Sequence, residues 1–173
     1  GQSYYNYQFK VNLDATIVIK YFSSDSLMYE RDFEYNSEYN KIASIKSKDL
    51  SNGNIRVEQF YYPYDFNRNV DVAIDSLFYN NQLESTIIHE IWEGSDEESL
   101  FLTGANVNQY TLLSDIPRLS TVHSLKSDVP LSVSEISEFD PDSLLREPEY
   151  YSEEINISKY DSYANILEYK ARD

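Results

Sequence analysis

Apolar and aromatic residues recur at every second position near the start of this chain, and that pattern limits the fold more than any other feature. From Tyr5 the odd positions read Tyr5, Tyr7, Phe9, Val11, Leu13, Ala15, Ile17, Ile19 and Tyr21, with mostly polar residues between them. Successive side chains on a strand point to opposite faces, so this spacing marks half-buried β-structure. The run is too long for one ordinary strand. A hairpin with its turn near Asn12–Asp14 is expected.

The same grammar continues downstream. Ser23–Ser26 reads as a polar turn, and Tyr29, Arg31, Phe33 and Tyr35 as the next strand. A strand starting at Ile42–Ile45 and another at Ile55–Tyr62 flank Asn52-Gly53, a dipeptide that accepts positive φ and so favours a tight hairpin. The period then changes. Val70, Ala73, Ile74, Leu77 and Phe78 fall on one helical face, which predicts a helix over 69–80 lying on a sheet. Asn67 or Asn69 is the expected cap, Asp71 suits the first turn, and Asn80-Asn81 the end. Strand signals return at Leu83–Glu93, Ser99–Thr103, Val107–Leu113 and Leu119–Leu125, with Pro117 assigned to a connection. Residues 129–154 carry Pro130, Pro141 and Pro148 and read as a long exposed connection with short strands. Ile155–Tyr160 and Ile166–Tyr169 form a last hairpin. No helix alternates regularly with strands, which disfavours a parallel α/β sheet. The fold class is therefore mainly all-β: an antiparallel meander of about ten short strands and one short helix.

Charge narrows the function. The chain carries 30 acidic against 14 basic residues, a net charge of -16. Nucleic-acid binding relies on Lys and Arg against phosphates, so no nucleic-acid partner is expected. An anionic membrane is disfavoured on the same ground. No stretch is long and apolar enough to span a bilayer, so this segment is not expected to insert in a membrane. With no Cys there is no thiolate ligand or thiol nucleophile. Gly1-Gln2-Ser3 is compatible with a cloning scar. Residues 1–173 are read as a single domain, which a longer protein could carry.

Two stretches share a finer plan. Tyr160-Asp161-Ser162-Tyr163-Ala164-Asn165 precedes the apolar Ile166-Leu167, and Tyr35-Asn36-Ser37-Glu38-Tyr39-Asn40 precedes Lys41-Ile42. Each has Tyr, then Asp or Asn, then Ser, then Asn five residues after the Tyr. These turns resemble the YD repeat of bacterial RHS-type proteins, in which a strand ends in Tyr-Asp, a short turn carries Gly-Asn, and the next strand begins. Tyr61-Tyr62-Pro63-Tyr64-Asp65-Phe66 is similar to an element of Tyr-rich exported proteins related to those repeats. The chain departs from the repeat where Ala164 and Tyr39 stand in place of the glycine. The resemblance implies a repetitive antiparallel sheet on exported, periplasmic or cell-surface proteins, lipoproteins among them. It implies shells and scaffolds with no catalytic residues of their own. Tyr35, Asn36, Asn40, Tyr160, Asp161 and Asn165 would then be structural turn residues. Asn36 and Asp161 would accept turn N–H groups, and Asn40 and Asn165 would take the position most tolerant of positive φ.

Residues able to carry chemistry are few. His89, flanked at alternate positions by Ile87 and Ile91, could act as ligand or base, and could meet His123 on a neighbouring strand. A packed histidine is the plainer reading. Asp96-Glu97-Glu98 and Asp140-Pro141-Asp142 offer oxygen ligands without the spacing of a known calcium loop. A carboxylate pair for glycoside hydrolysis has no specific signature among so many acids. No Gly-x-Ser-x-Gly elbow or phosphate loop occurs. No catalytic, cofactor or metal residue is therefore assigned, and the chain is not expected to be an enzyme. Trp92, Tyr61 and Tyr62 could stack on a ligand, since aromatic faces offer flat apolar platforms. The leading expectation is an exported scaffold or shell. The alternatives are a module binding a glycan or protein partner through exposed aromatics, and a carboxylate-pair hydrolase.

Overall fold

The computed structural model describes residues 15–22, 25–126, 130–132, 135, 139–145, 148–161, 163 and 165–172. Ten strands form one antiparallel sheet: β1 (Ala15–Phe22), β2 (Asp25–Tyr35), β3 (Ile42–Asp49), β4 (Ile55–Tyr61), β5 (Ile88–Gly94), β6 (Phe101–Leu113), β7 (Ile116–Leu125), β8 (Leu131–Ser132), β9 (Tyr151–Tyr160) and β10 (Ile166–Ala171). Strands β1 to β7 lie side by side in chain order, followed by β9 and β10; β8 pairs with β6. The expected mainly all-β antiparallel meander is the fold, with a single α-helix among the described residues. The hairpin turn expected at Asn12–Asp14 lies outside the described residues.

The helix, α1 (Val72–Tyr79), sits in the connection between β4 and β5. It starts later than the periodicity predicts, and its cap is neither Asn67 nor Asn69. Asp71 Oδ1 accepts the N–H groups of Ala73 at 2.8 Å and Ile74 at 3.0 Å, which satisfies two of the donors a helix start leaves free. Asn69 instead takes a left-handed φ of 70° and donates its N–H to Asp75. Helix α1 buries Ala73, Ile74 and Leu77 and lies over β6 and β7. With Phe66, Ile87, Ile88, Trp92, Leu102, Ala105, Val107, Leu131 and Tyr151 the helix residues Ile74 and Leu77 form the core.

Several strand boundaries differ from the sequence reading, among them the start of β2 at Asp25, inside the expected Ser23–Ser26 turn. Leu83–Ile87 is not strand; β5 begins at Ile88. Ser99–Thr103 and Val107–Leu113 are parts of one strand, β6, which runs without a break through Gly104. Pro117 is inside β7, pairing with Leu112. The true connection is Ser114-Asp115, both with left-handed φ (52° and 63°), the twist a two-residue hairpin needs. Strand β9 also starts earlier than expected, at Tyr151, and ladders Leu125 against Tyr151.

The sheet is wider than its core. Residues paired across antiparallel strands share a face, so the core-facing Tyr61, Gln59, Val57 and Ile55 of β4 put Ser44, Lys46 and Lys48 of β3 on that same side. Opposite those lie Glu34, Asp32 and Glu30 of β2. The face that is apolar under α1 is thus polar and charged two strands further on. At the other end every residue of β10 is exposed.

Candidate functional site

The two tyrosine turns close in related ways. In the first, Asn36 N–H donates to Lys41 O at 2.8 Å, and Tyr35 pairs with Ile42. Asn36 Oδ1 accepts the N–H groups of Glu38 (2.9 Å) and Tyr39 (3.0 Å), and Asn40 takes a left-handed φ of 52°. In the second, Asp161 N–H donates to Asn165 O at 3.0 Å, and Tyr160 pairs with Ile166. Asp161 Oδ1 accepts from Tyr163 N and Asn165 N, both at 2.8 Å, and its Oδ2 from Asn165 Nδ2 at 2.8 Å. Those bonds, led by the Asn165 side chain, hold the Asp161 carboxyl below its ordinary range. The second loop is one residue shorter. The side chains of the two tyrosines also differ: Tyr35 is exposed, whereas the Tyr160 hydroxyl donates to Leu119 O across the sheet.

The first turn is clamped by rings. Tyr39 stacks on Tyr64 with centroids 4.2 Å apart, and Tyr64 on Tyr62 at 5.4 Å. Tyr62 hydroxyl donates to Ile42 O at 3.0 Å, tying the 3-10 turn at Pro63–Asp65 to the start of β3. Asp65 Oδ2 accepts Tyr62 N–H at 2.8 Å. Burial pushes the Asp65 carboxyl up, and the Tyr62 N–H only partly opposes it. Arg68 lies over the Phe78 ring, 3.5 Å from its centre.

Of the three rings considered as stacking platforms, Trp92 and Tyr62 are buried, and Tyr61 is half-buried and stacked on Phe139 at 4.1 Å. They form part of the packing and do not make a flat exposed patch.

The histidines do not meet. Ile88 pairs with Val107 and Val107 with His123, so His123 is on the face of Ile88, while His89, the next residue on β5, is on the other. His123 Nε2 sits 3.0 Å from Gln109 Oε1. His89 Nε2 sits 3.0 Å from Glu58 Oε2, and its ring stacks on Phe60 at 4.6 Å. Arg56 bonds both Glu58 (3.1 Å) and Glu93 (3.0 Å). Burial works against ionisation of Glu58, but the hydrogen bonds from Arg56 and His89 and their charges outweigh it and hold its carboxyl low. Other flagged acids have partners inside or beyond their loops: Asp96 accepts from Glu98 N, Glu97 pairs with Lys46 of β3, Asp140 accepts from Asp142 N, and Asp142 accepts from Asn67 Nδ2 at 3.0 Å. Among the described residues no group of three or more His, Cys, Asp or Glu could hold a metal ion.

Glu90 is the residue that sequence reading overlooked. It is fully buried on β5 between Ile88 and Trp92, and Trp92 Nε1 donates to its Oε2 at 3.2 Å. The signal was present: the alternation that turns Ile88 and Trp92 inward turns Glu90 inward with them. No family model matches the chain, and neither a curated protein nor a solved structure matches it.

Proposed function

We propose that this chain is a non-catalytic scaffold or shell segment of an exported bacterial protein, periplasmic or on the cell surface and anchored there as a lipoprotein, built on degenerate YD-type hairpins. One observation carries the reading: a single sheet that extends past the core cluster of the described residues in both directions, ending at β10 in a strand exposed on both faces. Such a layer builds area, whereas an enzyme of this size folds around a cleft. The repeated Asx turns at Asn36 and Asp161 support it, since they supply the same corner twice. The acidic surface favours a protein or glycan partner over nucleic acid. No helix among the described residues is long and apolar enough to cross a membrane.

Two measurements test the reading. In a screen with glycosidase, esterase and phosphatase substrates the chain should show no turnover; turnover abolished by one point change overturns it. In the producing cell, protease shaving and fractionation should recover the protein outside the cytoplasmic membrane. Recovery in the cytoplasm refutes the assignment.

A further inference from the structure

Among the described residues β10 is the outermost strand of the sheet, and its outer backbone edge has no neighbouring strand there. Natural edges are usually blunted by charge, proline or brevity, because unpaired N–H and C=O groups invite another strand. Here Ile166, Leu167 and Tyr169 are 51%, 57% and 62% exposed, and Tyr163 in the preceding turn is 86% exposed. Helix α1 lies over β6 and β7, inboard of β9 and β10. We infer that β10 is a self-pairing edge: two copies of this chain join their β10 strands antiparallel about a twofold axis through Tyr169.

The register follows from strand geometry. Along a strand, the N–H and C=O groups of alternate residues point to alternate edges, and directly opposed residues must both point inward or both outward. A strand pairing with its own copy must therefore place some residue opposite itself. Centring on Glu168 opposes two carboxylates, and centring on Lys170 opposes two ammonium groups; like charges in direct opposition are destabilising. Centring on Leu167 pairs Ile166 with Glu168. Centring on Tyr169 stacks two tyrosines, sets Leu167 against Ala171 twice, and sets Glu168 against Lys170 twice. Every cross-strand pair from 167 to 171 is then complementary. The ladder with β9 shifts on either side of Glu168 and runs in constant register from Tyr169 to Ala171, so the axis residue and the half of the joint that follows it lie in the regular part of the strand. The charges that guard this edge against an arbitrary strand thus select a second copy.

This inference rests on the scaffold reading only in treating β10 as an adhesive edge. Sedimentation velocity of the whole chain at physiological salt, where repulsion between acidic copies is screened, should show a reversible dimer. Glu168→Lys and Lys170→Glu should each weaken it about tenfold or more, because each turns two attractive pairs repulsive. The double variant should restore it. Both positions are exposed, and circular dichroism checks that each variant is folded. A monomer up to millimolar concentration, a dimer indifferent to the single changes, or a double variant that fails to recover overturns the inference. None of those results bears on turnover or location, so the scaffold reading falls only by its own tests.

Discussion

Replacing Ile74 by Ala removes three carbons from a side chain that is 2% exposed and seated between α1 and the sheet. At about 0.8 kcal/mol per methylene the transfer loss is about 2.4 kcal/mol. The void left among Leu77, Phe66 and the strands adds to this, for a total of about 3–4 kcal/mol. That is a large share of the ~5–15 kcal/mol that holds an ordinary domain together. Val72, on the same helix, is 69% exposed. Val72→Ala removes a β-branched residue from a helix and buries nothing less, so it should change stability by about 0.5 kcal/mol or less. Urea denaturation followed by the fluorescence of Trp92, the chain's only tryptophan, reads both variants, since that ring is buried in the same core. An Ile74→Ala loss below about 1 kcal/mol, or one equal to that of Val72→Ala, would refute the packing of α1 on the sheet.

Two further outcomes are expected. Tyr62→Phe deletes the hydrogen bond to Ile42 O and should cost about 1 kcal/mol; Tyr64→Phe deletes a buried hydroxyl with no partner among the described residues and should cost nothing or stabilise slightly. Thermal melts that reverse this order would contradict the ring clamp. The Glu58 carboxyl binds its proton less tightly in the folded than in the unfolded chain, so its stabilisation is complete above the ordinary Glu value of ~4.3 and is lost as pH falls through the lower folded value. Glu58→Gln should flatten the acid limb of melting temperature against pH, and an unchanged limb counts against the Arg56–Glu58–His89 network.

Local patterns were legible where one principle acted alone. Asn52-Gly53 announced its hairpin, and Gly53 has a φ of 82°. The helical face at Ala73, Ile74 and Leu77 announced α1. Boundaries failed where tertiary contacts overrode a local preference. Ser114-Asp115 lacks glycine, yet both residues take left-handed φ, a local cost of roughly 1–2 kcal/mol each met by the long β6–β7 ladder. Residues 104–106 fall between two expected strands, but β6 continues through them, with Gly104 opposite Ile91 and Ala105 opposite Glu90. Gly94 is required for another reason: a Cβ there would lie 2.4 Å from Ser99 O, where the loop folds back. The separation of His89 from His123 depended on register, which no single strand encodes. Glu90 was missed because an acid among apolar residues invites the assumption that it faces water.

The order of the strands has a consequence for how the molecule assembles. From β1 to β7 each strand lies beside the one before it, so most pairings close short loops, and the entropy of closing a loop grows with its length. Such a sheet can zip outward from a centre. The β4–β5 joint must wait for the connection that carries α1, and β7 meets β9 only after the long segment between them has been crossed. Backbone amides of β5 and β6, which carry most of the strand residues of the core, should therefore exchange with solvent last, and those of β10 first, in a gradient that follows distance from the core across the ribbon.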